Sequence, residues 1–429
     1  MGRLRFVVII TTLVVFFTTE AFAMKQVIIS GTDEDTNAAS TTYGMLIGDA
    51  AEGFDTSEED FLTAWPAAGT MSDLIGALGA QPDNGAGVDS YTLTIRESES
   101  TDTSMAVTIS DTDTTGSDSN THTTAQGDFY TLELTPANSP AIAGIDPKWS
   151  FYFEPTTDGE SVVGGAGRQT SQTGLRYVRL FGSTSSLEGT ENQSQMPIPD
   201  GGTLRELHVR TEDPPNNGGG TQEWVITVQI NGSDGNSTCS VSEDSDNCSD
   251  LTNTDTLSAG DVVSFEVDPN GTPQNFKYIS VSAVIDFTTA DAFMFGWGTD
   301  DLVPLSGTEY MQPSSSDSSW SATEGDRQQV TKAMRVLAAY CSSTDAPGTG
   351  DSYTYTLNDD GTGTGAAVTL SEAETADNVT GLSIDIAEGS LLSIAGTASG
   401  SPGNAIMHCS YLAQVIEAGG ASRRVMVVS

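Results

Sequence analysis

The feature that most constrains the fold of this chain is an internal repeat, in which short strings of similar residues recur at a nearly constant offset. Three anchors keep this offset: Gly69-Thr70 recurs as Gly202-Thr203, Tyr91-Thr92-Leu93 as Trp224-Val225-Ile226 and Tyr353-Thr354-Tyr355, and Gly127-Asp128 as Gly260-Asp261 and Gly389-Ser390. The offset from the first copy to the second is identical for all three anchors, and the third copy follows at a slightly shorter one. Independent anchors at a single offset predict three copies of one structural unit.

The second copy shows most clearly what one unit contains. Residues 224, 226, 228 and 230 are apolar and lie two apart, the period that puts side chains on one face of a strand. Asn231-Gly232 then supplies a two-residue hairpin turn. A strand is also predicted over Leu175–Phe181. Helical periodicity is nearly absent, with candidates only at Ser57–Ala64 and Gln328–Ala339.

About eight short strands in a unit, separated by Gly, Pro, Asn and Asp, predict a β-sandwich. A unit of about 130 residues exceeds a seven-stranded immunoglobulin domain of about 100 residues and suits a jelly roll better. We therefore predict an all-β chain of three tandem jelly-roll-like sandwiches over residues 24–155, 156–289 and 290–417, with a C-terminal tail at 418–429.

The segment Met1–Ala23 is typical of a secretory signal peptide. Arg3 and Arg5 precede an apolar run over Phe6–Phe17, and Ala21-Phe22-Ala23 forms a small-x-small cleavage site. This apolar run is too short to cross a hydrocarbon core, which argues against the alternative of an uncleaved anchor. No later segment has the composition of a membrane span. The protein is therefore predicted to be secreted, periplasmic or held at the cell surface.

The charge balance is strongly acidic, with 59 Asp and Glu against 16 Lys and Arg and a formal net charge of −43. Such a surface repels phosphate backbones and anionic lipids, so neither nucleic acid nor a membrane surface is an expected partner. The acidic residues are explained either by solubility in salt or by loops that hold divalent cations.

Four cysteines in an exported chain predict two disulfides. Cys239 and Cys248 would close a short acidic loop. Cys341 and Cys409 fall in predicted strands that are neighbours in a jelly roll, so their pairing is geometrically reasonable. Metal binding is not expected, because neither pair has CxxC spacing.

The string from Gly202 to Phe265 carries a resemblance to a known family. It contains Leu-His-Val-Arg, Pro-Pro-Asn-Asn-Gly-Gly-Gly, Trp-Val-Ile-Thr-Val-Gln-Ile-Asn-Gly and Ala-Gly-Asp-Val-Val-Ser-Phe. This succession resembles the TNF/C1q-like jelly-roll heads of phage-like and bacterial surface fibres. The resemblance implies trimeric packing around an apolar axis and a role in display or adhesion. Three tandem copies would then pack as a pseudo-trimer within one chain. The third copy departs from the pattern, because Gly389-Ser390 replaces Gly-Asp.

Motifs for catalysis are missing from the sequence. Only three histidines occur, His122, His208 and His408, and none lies in a nucleophile or zinc motif. Calcium is the best chemical candidate, because acidic Gly/Ser loops can supply its oxygen ligands. The candidate ligands are Asp111, Asp113, Asp118 and Asn120, with further acidic loops at 244–247 and 359–360. The alternative is that these loops are simply solvated.

Trp320 is the one tryptophan whose polar surroundings suggest a sugar-stacking ring. Its neighbours, Ser-Ser-Asp-Ser-Ser before it and Ser321 after it, predict an exposed loop. The alternative is an indole tucked under its own loop.

Together these observations predict a non-catalytic exported surface or structural protein that acts in display, adhesion or assembly. The alternative is a secreted array of carbohydrate-binding modules, with calcium as the one candidate cofactor. Expected partners are glycans or other surface proteins. The expected state is a monomeric pseudo-trimer or a homo-oligomer.

Overall fold

The computed structural model describes residues 24–32, 40–47, 54–85, 87–98, 101–141, 145–168, 174–182, 186–216, 222–276, 278–299, 302–303, 306–314, 320–327 and 329–416. The predicted signal peptide and the predicted tail at 418–429 lie outside these residues.

Strands dominate all three copies of the repeat, and the helices of the described residues are three short 3-10 turns at Glu59–Phe61, Glu191–Gln193 and Glu324–Arg327. Sandwich 1 has β1 (Gln26–Gly31), β2 (Thr42–Gly44), β3 (Thr63–Ala64), β4 (Gly69–Ala77), β5 (Ser90–Glu97), β6 (Thr101–Ser110), β7 (Thr115–Thr124), β8 (Phe129–Ala137) and β9 (Lys148–Pro155). Sandwich 2 has β10 (Glu160–Arg168), β11 (Arg176–Val178), β12 (Phe181–Gly182), β13 (Met196–Pro197), β14 (Gly202–Thr211), β15 (Glu223–Ile230), β16 (Ser233–Ser242), β17 (Asn247–Leu257), β18 (Val262–Asn270) and β19 (Tyr278–Phe287). Sandwich 3 has β20 (Ala292–Gly298), β21 (Gly307–Met311), β22 (Gln329–Val330), β23 (Met334–Ser343), β24 (Gly348–Asp359), β25 (Thr362–Glu372), β26 (Ala376–Val379), β27 (Ile384–Ile386), β28 (Leu391–Ser399) and β29 (Met407–Val415).

The strands of each copy form two sheets with the same order. In sandwich 1 the first sheet runs β1-β9-β4-β7 and the second runs β2-β8-β5-β6, with β3 added to β8. In sandwich 2 the orders are β12-β10-β19-β14-β17 and β11-β18-β15-β16, with β13 added to β18. In sandwich 3 they are β20-β29-β23-β26, with β27 added to β23, and β21-β28-β24-β25, with β22 added to β28. Two sheets connected in this way form a jelly roll, so the predicted all-β fold of tandem sandwiches is confirmed.

The anchor that begins with Tyr91 occupies the same place in each sandwich. Tyr91, Trp224 and Tyr353 lie on β5, β15 and β24, and all three side chains are buried. Each donates its polar hydrogen to a backbone carbonyl 50 residues further on, at Ala141, Gln274 and Gly403 respectively. A large ring with one polar hydrogen at its tip therefore fills the core and holds the same loop in every copy.

The anchor that begins with Gly127 is the turn that precedes β8, β18 and β28. Gly127, Gly260 and Gly389 have φ values of 86°, 90° and 82°, in the left-handed region that favours glycine. Asp128 and Asp261 each accept a hydrogen bond from the backbone three residues earlier. The turn thus explains why these dipeptides recur in the sequence.

One predicted strand is divided in the structure. The stretch Leu175–Phe181 contains β11 and β12, which belong to opposite sheets of sandwich 2. The chain bends at Leu180, where it passes from one sheet to the other. The alternating apolar pattern therefore reflects two short strands rather than a single one.

The core of each sandwich includes side chains from a neighbouring sandwich. The core of sandwich 1 contains Val162 and Val284 of sandwich 2. The core of sandwich 2 contains Met294 and Leu412 of sandwich 3. The core of sandwich 3 contains Val27 of sandwich 1. Burial of one aliphatic side chain stabilises a fold by about 1.5–3 kcal/mol. These shared cores therefore hold the three sandwiches together in a closed ring.

Candidate functional site at the seams between sandwiches

Three seams join the sandwiches, and equivalent strands build each of them. At the first seam β3 of sandwich 1 packs on β14 and β19 of sandwich 2. At the second seam β13 of sandwich 2 packs on β23 and β29 of sandwich 3, and at the third seam β22 of sandwich 3 packs on β4 and β9 of sandwich 1. The seams therefore follow approximate threefold symmetry within one chain.

A serine on the last strand of each sandwich marks the equivalent point of each seam. Ser282 donates its hydroxyl to the carbonyl of Ala64 at the first seam, and Ser410 donates to the carbonyl of Pro197 at the second. Ser150, at the third seam, has a buried hydroxyl with no hydrogen-bond partner in the part of the chain that the structure describes. The hydrogen bond from this serine to a carbonyl of the neighbouring sandwich is therefore present at the first and second seams, whereas Ser150 at the third seam does not make it with any described residue.

Polar contacts also join the first strands of the sandwiches. Gln26 Nε2 donates to the carbonyl of Val162, and Gln26 Oε1 accepts from the Val162 amide, both at 2.7 Å. The Met294 amide donates to Ser161 Oγ at 3.2 Å. These contacts satisfy backbone groups that the ring would otherwise bury without partners.

The second seam contains a buried cationic side chain. Arg179 of sandwich 2 is fully buried and donates from Nε and Nη2 to the carbonyl of Gln193 and from Nη1 to the carbonyl of Gly298 in sandwich 3. His408 of sandwich 3 contacts the same Gln193 carbonyl through Nε2 at 2.9 Å. Burial, with the positive charge of Arg179, holds the pKa of His408 well below its usual value. The imidazole is therefore neutral near pH 7.

The third seam is filled by amides and a lysine. Gln329 on β22 donates to Gln312 Oε1 and accepts from the Ser314 amide. Lys332 lies over the ring of Tyr152 in sandwich 1, with its Nζ 5.1 Å from the ring centroid, and pairs with Glu388 at 2.7 Å. This seam therefore uses cation–π and amide contacts where the second seam uses an arginine.

The residues that pair with these three serines on the neighbouring strand differ from one seam to the next. Ile75, His208 and Tyr340 occupy the positions paired with Ser150, Ser282 and Ser410. Ile75 contributes to an apolar cluster with Val330 at the third seam, and Tyr340 packs against the core of sandwich 2 at the second. The first seam therefore has the imidazole of His208 at the position where Ile75 and Tyr340 make apolar contacts in the other two seams.

A cleft of ≈ 250 Å³ lies at the first seam beside His208. Its lining comes from sandwich 1 (Ala64, Gln126, Gly127 and Phe129) and from sandwich 2 (His208, Val209, Asn247, Cys248, Ser249 and Leu251). Burial alone lowers the pKa of His208 to about 4. The imidazole lining the cleft is consequently uncharged at neutral pH.

The predicted calcium ligands are separated in the structure. Asp111 and Asp113 lie at the turn between β6 and β7, whereas Asp118 and Asn120 lie within β7. Asp118 accepts from the amides of Ala106 and Asn120 at 2.9 and 3.0 Å. Among the described residues, no group of three or more His, Cys, Asp or Glu could hold a metal ion. The calcium hypothesis thus has no assembled ligand set and stays a prediction.

Trp320 lies in the core of sandwich 3 rather than on an exposed loop. Its side chain is 8% exposed and packs edge-on against Trp297, with ring centroids 5.4 Å apart, and near Tyr355. The indole ring therefore contacts other rings of the core. Ligand binding by Trp320 remains an untested prediction.

Both predicted disulfides are present. Cys239 on β16 pairs with Cys248 on β17, which joins the two sheets of sandwich 2. Cys341 on β23 pairs with Cys409 directly across the first sheet of sandwich 3. No helix among the described residues is long and apolar enough to cross a membrane.

Sequence reasoning noted His208 and His408 but assigned neither to a site, and it did not single out Arg179 or Gln126. The signal is weak because each residue acquires part of its surroundings from another copy of the repeat. The local sign is slight: His208 lies between the apolar residues Leu207 and Val209 in a strand that also contains other polar residues.

Comparisons with known proteins yield only distant likenesses. No protein-family model and no curated protein matches the chain. A solved structure described as "The Triple Jelly Roll Fold and Turret Assembly in an Archaeal Virus" is 12% identical, with 82% of this chain and 81% of that chain covered and a TM-score of 0.16. A second, "Life in the extremes: atomic structure of Sulfolobus Turreted Icosahedral Virus", is 11% identical over 81% and 79%, also with a TM-score of 0.16. Likenesses at this level carry no argument about function.

Proposed function

We propose that this protein is an exported, non-catalytic head that acts in display, adhesion or assembly at a surface. The observation that carries the proposal is the closed ring, in which β3, β13 and β22 each pack on the next sandwich. Because side chains of every sandwich enter the core of another, we expect the ring to move as one rigid body. A rigid body of this kind suits presentation of an outer surface.

The outer strands support a role in contact with solvent. Exposed and buried residues alternate along β6, β16 and β25, with Thr, Ser and Asp at many exposed positions. Each sandwich also has an exposed cross-strand threonine pair, whose hydroxyl oxygens lie 2.9–3.0 Å apart: Thr92 with Thr108, Thr227 with Thr238, and Thr354 with Thr369. Hydroxyl pairs stabilise a sheet face without adding an apolar patch.

The ring is also the arrangement that a TNF/C1q-like resemblance implies. On this proposal three copies in one chain replace the three subunits of a trimeric head. Two disulfides and the acidic composition support an extracellular destination. The partners on this proposal are glycans or other surface proteins.

Antibodies raised against the folded head provide the test. They are expected to label intact cells or particles that carry the protein, without permeabilisation. Labelling that appears only after permeabilisation would contradict the proposal. Small-angle scattering and light scattering of the purified protein should report a compact monomer, and a maximum dimension of three sandwiches end to end would contradict the closed ring.

A further inference from the structure

The cleft at the first seam has a lining that differs from the rest of the molecule. The chain carries 59 acidic residues, yet the ten residues that line the cleft include none. Neutral polar groups are contributed by Gln126, Asn247 and Ser249, and apolar surface by Phe129 and Leu251. A lining without ionised side chains favours an uncharged polar ligand.

His208 lines this cleft, and its side chain contains a buried polar atom. The residue is 6% exposed, and its Nε2 has no hydrogen-bond partner among the residues that the structure describes. Leaving such an atom without a partner costs free energy, which a ligand hydroxyl would recover. A neutral imidazole can serve as either donor or acceptor there, depending on its tautomer.

The apolar side of the cleft suits the carbon face of a sugar ring. Phe129 is partly buried, and the guanidinium of Arg210 lies 4.9 Å from its ring centroid in a cation–π contact. Leu251 is 54% exposed, one of four large apolar side chains with high exposure in the described residues. A cleft of ≈ 250 Å³ is smaller than a typical drug-sized pocket of about 300–1,000 Å³, which suits a single ring.

We propose that this cleft binds one neutral sugar residue of a glycan, with His208 and the nearby amides on its hydroxyls and Phe129 and Leu251 against its carbon face. The three seams do not share this chemistry, because Ile75 and Tyr340 stand where His208 stands. The proposal does not depend on the display role, since a secreted binding protein would use the same cleft.

Saturation-transfer NMR on the full-length folded protein tests the proposal. The probes are glucose, galactose, mannose and N-acetylglucosamine, with glucuronate as the anionic comparison. At least one neutral sugar should show saturation transfer, and glucuronate should show none. His208→Leu replaces the imidazole with an apolar side chain and removes Nε2, and it should weaken binding by about tenfold, the contribution of one hydrogen bond.

Two further variants separate binding from folding. Leu251→Glu places a charge at an exposed cleft position, where the fold tolerates it, and should abolish transfer. Leu175→Glu is the matched control, because Leu175 is 42% exposed and lies outside the cleft. It should leave transfer unchanged. Absence of transfer from every neutral sugar, or transfer that survives both His208→Leu and Leu251→Glu, would overturn the proposal, and so would equal transfer from glucuronate.

Discussion

The backbone nitrogen of Met24 lies 2.9 Å from Asp158 Oδ1. This contact joins the start of sandwich 1 to the link between sandwiches 1 and 2, and the Met24 side chain is buried in the core of sandwich 3. Cleavage after Ala23 would turn this nitrogen into an ammonium group that faces a carboxylate. N-terminal sequencing of the exported protein should therefore read Met-Lys-Gln-Val. A start at any later residue would remove the contact and contradict the prediction.

Removal of the Gln26 amide should loosen the ring. Gln26→Leu eliminates both hydrogen bonds to Val162 and leaves a buried amide and carbonyl without partners, which should lower the free energy of unfolding by about 2–5 kcal/mol. Denaturant titration measures the loss. Gln274→Leu is the matched control, since the Gln274 side chain is exposed, and it should change the free energy by less than about 0.5 kcal/mol. Equal effects of the two substitutions would contradict the role of Gln26.

Acid should destabilise the fold through its buried histidines. The pKa of His208 is lowered to about 4 in the folded state, whereas an unfolded histidine titrates near about 6.5. The unfolded state thus binds more protons between these values, and stability falls as pH decreases through this window. His208 alone should contribute a loss of about 3 kcal/mol between pH 7 and pH 4.

Thermal melts of wild type and His208→Leu across this range measure the effect. The variant should lose less stability on acidification than the wild type. His408, whose pKa is lowered by burial and by Arg179, should continue to contribute in both proteins. Identical pH profiles would show that His208 does not stay neutral in the fold.

The two disulfides should contribute unequally to stability. Cys341 and Cys409 are 68 residues apart, whereas Cys239 and Cys248 are 9 apart. The chain-entropy model assigns about 4 kcal/mol to the longer closure and about 3 kcal/mol to the shorter one. Paired Cys→Ala variants, compared by denaturant unfolding, measure both contributions. A larger loss from the short loop would contradict the entropic explanation.

The repeat anchors could be found in the sequence because each acts within a single sandwich. Tyr91, Trp224 and Tyr353 are large rings in alternating strands, and Gly127 and Gly260 occupy turns that need positive φ. Patterns of this kind follow from the backbone of a single unit, so spacing alone reveals them.

Strand β7 was not predicted because it lacks an apolar residue. Thr115–Thr124 reads as a polar acidic loop, yet it pairs with β4 along nearly its whole length. Likewise, the surroundings of His208 and Arg179 depend on which sandwiches meet, because part of each residue's environment comes from another copy of the repeat. Tertiary contacts between copies leave no periodic trace in the sequence.

Covalent linkage of the three sandwiches changes what a single substitution can do. In a trimer of identical subunits, each amino-acid change would be present at all three junctions, and its energetic effect would be multiplied accordingly. Here Ile75, His208 and Tyr340 are separately encoded. One junction can therefore diverge while the other two preserve the integrity of the head, and a molecule of this design can present a single recognition point rather than three.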